Sequence, residues 1–132
     1  MRLSPAAEYA IRGALVLAEH YGQGPVSLGK VCKVRGLSKE YMTKLFSVLA
    51  RAGLVQSVRG KRGGYVLARD PVEIPLLSLI EVVEGPLVMN FCLFDPPQCH
   101  RAPTCPVHPV WVDIQDYAKK RLAAFTLADC LS

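Results

Sequence analysis

Apolar residues recur at helical spacing from the start of the chain. Ala7, Ala10, Ile11, Ala14, Leu15 and Ala18 share one face, which predicts a helix over residues 7–21, ended by the Gly22–Pro25 segment. Ser27 can cap a second, short helix with Leu28 and Val31 inward, stopped by Gly36. Ser38 can cap a third, with Leu37 and Met42 placed as a hydrophobic staple across the cap. That helix would bury Met42, Leu45, Phe46 and Leu49. Its opposite stripe is Glu40, Thr43, Lys44, Ser47 and Arg51.

After Gly53 the period changes. Residues 54–59 and 65–69 read as two short strands joined by a glycine-rich turn with a basic centre, Gly60, Lys61, Arg62. Asp70 and Pro71 break the pattern. Leu76, Leu79, Ile80 and Val83 mark a helix over 75–84, stopped by Gly85 and Pro86. Residues 86–109 hold six of the ten prolines and three of the five cysteines, which suits a loop organised by contacts or a ligand. A last helix is expected over 110–125. Val110, Trp111, Ile114, Tyr117, Ala118, Leu122 and Phe125 share one broad face there, wide enough to need a partner surface. The fold class expected is mainly α with a small β-hairpin. A first domain over residues 1–72 would be followed, over 73–132, by a connecting helix, the cysteine loop and the long last helix.

Charge sharpens this picture. Residues 1–70 carry a net +8 and residues 71–132 a net −3, within a total of +5. A basic half joined to a mildly acidic one suggests a polyanion-binding part and a part with another task. Half of the residues are hydrophobic, enough for a packed core. The apolar runs are broken too early for a membrane span, and the N-terminus has no secretory pattern, so a cytoplasmic protein with no membrane partner is expected.

The second and third helices, joined through Gly36 and Leu37, have helix-turn-helix spacing. In that arrangement the second of the pair enters the major groove with its first turns at the bases. Ser38, Lys39, Tyr41, Thr43 and Lys44 occupy those turns, and Arg51 suits a phosphate. The hairpin is then a wing, with Arg59, Lys61 and Arg62 along the duplex backbone or in the minor groove, and Gly60 allowing close approach. The alternative is a plain three-helix domain with a solvated charged face. The glycine turn has neither the Gly-Lys-Ser/Thr of a P-loop nor a dinucleotide fingerprint.

Cys92, Cys99 and Cys105, with His108 separated from the last by two residues, form a set of soft thiolates plus an imidazole, suited to zinc or iron–sulfur chemistry. No Cys-x2–4-Cys knuckle of the kind common in zinc sites occurs, and wider gaps let a loop wrap a larger object. Free thiols acting as an oxidation sensor, structural zinc, and a thiol redox enzyme are the competing readings. The last is opposed by the lack of a Cys-x-x-Cys motif or an acid–base set, so no enzyme is expected. An interaction module that kept the fold without DNA binding is opposed by the basic wing. Cys32 reads as a small core residue, Cys130 as part of a frayed tail, and His100 as a solvated loop histidine or a third candidate ligand.

The segments Met1–Ser4, Gly24–Val26, Gly36–Tyr41, Ser57–Gly60, Gly63–Tyr65 and Thr126–Asp129 resemble the Rrf family of bacterial winged-helix transcription regulators along nearly the whole chain. The resemblance implies a winged helix-turn-helix followed by a long dimerisation helix, hence a homodimer on double-stranded DNA with a palindromic operator. It implies a regulator, expected to be a repressor, controlled by an iron–sulfur cluster that senses redox state, nitric oxide or cluster supply. Cluster-binding members use three cysteines and a nearby histidine for a [2Fe–2S] group, which maps onto Cys92, Cys99, Cys105 and His108. The first gap is one residue longer here. Nitric-oxide-sensing members carry an acidic ligand where this chain has Glu8. Glu8 of the partner subunit is thus the alternative fourth ligand, and would make a [4Fe–4S] form plausible. The [2Fe–2S] form with His108 is favoured. A well-known member carries Glu at the position of Thr43, so the operator is expected to differ.

Overall fold

The computed structural model describes residues 2–131, excluding the side chains of Val34 and Arg35. Met1 of the N-terminal motif, and the Arg35 side chain in the expected turn, lie outside the described residues. Helix α1 runs Pro5–Glu19, α2 Leu28–Arg35 and α3 Lys39–Arg51; strands β1 (Val55–Val58) and β2 (Gly64–Leu67) follow, then α4 (Leu76–Glu84) and α5 (His108–Ala124). Short 3-10 turns stand at Pro71–Glu73, Phe91–Leu93 and Ala128–Cys130.

The helix ends follow the local chemistry. The Ser4 hydroxyl accepts from the Ala7 amide at 3.1 Å and Pro5 fills the first helical position, so α1 begins two residues earlier than the apolar period alone indicates. Ser27 caps α2 by accepting from the Lys30 amide at 3.2 Å, and Gly36 closes that helix in the left-handed conformation at φ +64°. Ser38 accepts from the Tyr41 amide to start α3. The last helix starts at His108 rather than residue 110, with Pro109 tolerated in its first turn because its missing N–H would have no helical partner there.

Met42, Leu45, Phe46 and Leu49 are buried as expected, in one core with Leu17, Val31, Leu54, Ile74 and Leu79. The Phe46 ring meets Tyr65 of β2 edge-on at 4.8 Å, joining α3 to the hairpin. Strands β1 and β2 pair antiparallel, with Val55 opposite Leu67 and Val58 opposite Gly64. A third backbone segment joins them. Val26 and Tyr65 exchange two hydrogen bonds of 2.9 Å, strapping the α1–α2 connection to the hairpin. The close approach requires glycine at 64, where a Cβ would stand 2.1 Å from the Val26 carbonyl oxygen. Helix α4 packs on α1 and α3 and also meets α5. The C-terminal segment is not a frayed tail. Leu127 is fully buried, its amide donates to the Ile74 carbonyl at 3.0 Å, and Thr126 bridges Pro75. No helix among the described residues is long and apolar enough to cross a membrane.

Candidate functional site

Two surfaces concentrate the chemistry. The first is the exposed side of α3 with the hairpin tip. Glu40, Thr43, Lys44, Ser47 and Arg51 are all exposed, opposite the buried stripe. Ser38 and Lys39 are exposed at the start of the helix and Arg51 lies in its last turn. The Thr43 hydroxyl donates to the Lys39 carbonyl at 2.8 Å, so its oxygen lone pairs face outward as acceptors. Tyr41, also expected among the DNA-contacting residues of these turns, packs partly within the chain. It is half-buried, and its ring meets Tyr9 of α1 edge-on at 5.5 Å. Tyr41 therefore helps to seat α3 on α1.

Arg59, Gly60, Lys61 and Arg62 are exposed in the hairpin turn, which closes with the Gly63 amide donating to the Gly60 carbonyl at 3.0 Å. Gly60 has φ +120°, and a Cβ on Gly63 would stand 2.2 Å from the Val58 carbonyl oxygen, so the turn's tightness depends on glycine. A tight turn carrying three cations, in the same small domain as a helix side rich in hydroxyl and ammonium donors, has the chemistry of a nucleic-acid surface.

The second surface is the cysteine loop. Cys92 is buried on the 3-10 turn, while Cys99 and Cys105 are half-buried. All three line one cavity of about 330 Å³, together with Asn90, Gln98, His100 and Trp111. Local bonds shape this loop. Asn90 accepts from the Phe91 amide at 3.0 Å, and the Gln98 amide donates to the Phe91 carbonyl at 2.9 Å. The His108 amide donates to the Cys105 carbonyl at 3.1 Å, and the Met89 amide donates to the Gln115 side chain on α5 at 2.7 Å. The loop is thus fastened to α5 at two points.

Of the two histidines in and next to this loop, His100 lines the cavity and His108 does not. His108 sits half-buried at the start of α5 with its Nδ1 buried and without a hydrogen-bond partner, an imidazole nitrogen whose donor or acceptor capacity is unspent. Glu8 is exposed on α1 and ion-paired to Arg12 at 2.7 Å. Among the described residues, no three His, Cys, Asp or Glu side chains stand where they would hold a single metal ion. The three thiols share one cavity wall, and thiolates are ligands for zinc and for iron–sulfur groups alike. Trp111, expected on the broad apolar face of α5 with Val110 and Ile114, also borders this cavity. Its place one helical turn beyond His108 was the available signal.

The remaining cysteines lie apart. Cys32 is buried in the main core, where burial pushes its thiol pKa up, partly offset by the Lys39 ammonium. Cys130 is exposed, its Sγ 3.6 Å from the Thr126 carbonyl. On α5, Val110, Ile114, Tyr117 and Phe125 are exposed, Tyr117 at 67 %, while Trp111, Ala118 and Leu122 are half-buried. The helix has no buried residue in the single chain, so its apolar side is largely uncovered.

Comparison with known proteins agrees with this architecture. The Rrf2 family, described as iron-dependent transcriptional regulators, matches residues 3–132. The HTH-type transcriptional regulator CymR of Bacillus subtilis (strain 168) is 36 % identical over 132 residues, which is 100 % of this chain and 91 % of that protein. The HTH-type transcriptional regulator IscR of Serratia proteamaculans (strain 568) is 34 % identical over 132 residues, 100 % of this chain and 80 % of that one. Among solved structures, T. potens IscR superposes with a TM-score of 0.80 at 36 % identity, covering 98 % of this chain and 85 % of that one. The structure of CymR, the global cysteine regulator of B. subtilis, gives 0.84 at 35 %, covering 98 % and 95 %. These relatives are named as transcriptional regulators and not as enzymes, and with its winged helix-turn-helix and the whole-length match, this chain belongs to the Rrf2 family of transcriptional regulators.

Proposed function

We propose that the chain is a homodimeric, cytoplasmic DNA-binding repressor whose affinity for a palindromic operator is set by an iron–sulfur cluster on the cysteine loop. The observation that carries this reading is the convergence of Cys92, Cys99 and Cys105 on one cavity of a loop fastened to α5. The three cysteines would hold the group as thiolates. His108, with its unspent buried nitrogen, is the favoured fourth ligand; His100 and Glu8 of the partner subunit are the alternatives. A bound cluster of this kind, [2Fe–2S] or [4Fe–4S], supplies a centre that responds to oxidants, nitric oxide or iron supply.

The chain's own residues supply the rest. Ser38, Thr43 and Lys44 face base edges, while Lys39, Arg51, Arg59, Lys61 and Arg62 meet phosphates or the minor groove, with Gly60 letting the wing come close. Val110, Ile114, Tyr117 and Phe125, continued by Trp111, Ala118 and Leu122, form the dimer face. Gln115 and the Cys105 carbonyl tie the loop to α5. Helix α5 meets α4, and α4 packs on α3, giving a continuous path from loop to reading helix. A change in loop order shifts DNA affinity only if the bound group prefers one arrangement of that path.

Selection of duplexes from a random pool by loaded and stripped protein tests the reading. Enrichment of a two-fold symmetric site, with half-sites about one helical turn apart, and a different affinity of the two forms for it, support it. Unselective binding, or equal affinity, contradicts it. A thiol-based regulator without a cluster is the second reading, favoured by the likeness to CymR, the global cysteine regulator of B. subtilis.

A further inference from the structure

Between the hairpin tip and the start of α2 lies a separate cleft of about 420 Å³, lined among others by His20, Ser27, Lys30, Lys61 and Arg62. Its walls are held by the Val26–Tyr65 strap and by the close approach at Gly64. Cations from two elements well separated in sequence therefore face one space on a fixed frame. Like charges gathered this way repel one another, and the arrangement becomes favourable when an anion enters.

Lys30 is also held in place. The Val16 carbonyl lies 2.9 Å from His20 Nδ1 and can only accept, so Nδ1 carries the ring proton. That leaves His20 Nε2 as an acceptor, and the Lys30 ammonium donates to it at 3.2 Å. The Ser27 hydroxyl oxygen already accepts from the Lys30 amide, which leaves its own O–H to be donated.

We propose that this cleft seats a phosphate group of the DNA backbone, gripped by Lys30 on one side and by Lys61 and Arg62 on the other, with His20 as the positioning residue for Lys30. The proposal rests on the DNA-binding reading and adds to it a contact that spans the wing and α2. Such a contact carries no sequence information. It fixes the wing's position relative to α3 on the duplex.

The test is fluorescence anisotropy of the full-length protein on a labelled random-sequence duplex over a range of salt concentrations. Lys30→Gln is expected to weaken binding several-fold and to reduce the slope of log K against log[salt] by about 0.9, the loss of one phosphate contact. His20→Leu should lose part of the same slope. His20→Gln, whose side-chain oxygen can still accept from Lys30, should restore it. Lys120→Gln on α5 should leave the slope unchanged, and thermal unfolding of each variant confirms that it is folded. An unchanged slope in Lys30→Gln beside a reduced one in Lys61→Gln overturns the proposal and leaves the DNA-binding reading standing. A Lys30-dependent thermal shift with inorganic pyrophosphate alone, without any effect on the DNA slope, assigns the cleft to a free polyphosphate and also overturns it. No DNA binding by the wild type overturns both.

Discussion

Replacing Gly64 by alanine tests how the wing is anchored. The added methyl would stand 2.1 Å from the Val26 carbonyl oxygen, 2.5 Å from its carbon and 2.8 Å from the Ser27 nitrogen. All three are backbone atoms, so no rotamer change relieves the contact. A carbon needs roughly 3.5 Å of separation, and the strap must therefore retreat by more than about an ångström. That breaks both 2.9 Å hydrogen bonds between Val26 and Tyr65. At about 1 kcal/mol net for each, with some loosening of the buried Val26, the cost is about 2 to 3 kcal/mol. For a chain of this size the midpoint of thermal unfolding should fall by roughly 6 to 12 °C. Circular dichroism at one fixed protein concentration measures it, since the midpoint of the proposed dimer would depend on concentration. The same variant should bind all duplexes several-fold more weakly, because the wing has lost its fixed position. An unchanged midpoint together with unchanged affinity would refute the view that the strap holds the wing.

Three further outcomes are expected. Thr43→Ala should change which sequences are preferred, because it removes an outward acceptor at the base edges, whereas Lys61→Ala should weaken specific and random duplexes alike; equal effects of both changes on all duplexes, measured by anisotropy, would sink the assignment of base and backbone roles. Ile114→Glu places a charge on the uncovered side of α5 and should convert dimer to monomer in sedimentation, with retained helix content; a dimer of wild-type stability would remove α5 from the interface. Cys32 is closed off in the core and burial pushes its thiol pKa up further, so iodoacetamide at neutral pH should label the exposed Cys130 and spare Cys32 in the native protein, as read by peptide mass mapping. Equal labelling of both would show that the core around Cys32 is open.

The parts of this protein legible in its sequence are those governed by local rules. The buried and exposed stripes of α3, the Ser27 and Ser38 caps, the Gly36 stop and the hairpin with its basic tip all follow from spacing and turn chemistry within a few residues. What escaped was set by contacts between distant segments. The tail looked frayed because nothing local announces that Leu127 inserts beside Ile74. The packing of Tyr41 is not legible locally because its partner, Tyr9, lies on another helix. The cysteine loop could be recognised by composition, but not its shape. That shape depends on the Met89–Gln115 bond and on the closure of Gln98 against Phe91. For the same reason the sequence does not show that Trp111 borders the cysteine cavity, or that Lys30 and the wing share a cleft.

The most direct measurement on the central claim is the iron and acid-labile sulfide content of protein purified without oxygen, recorded with its visible absorption. The account predicts a coloured protein with equal iron and sulfide, colour lost in Cys92→Ser, Cys99→Ser and Cys105→Ser alike, and quenching of Trp111, the chain's sole tryptophan, when the group is present. Colourless wild-type protein that takes up neither iron nor sulfide on reconstitution, with Trp111 emission unchanged, would contradict it and leave a thiol-based regulator.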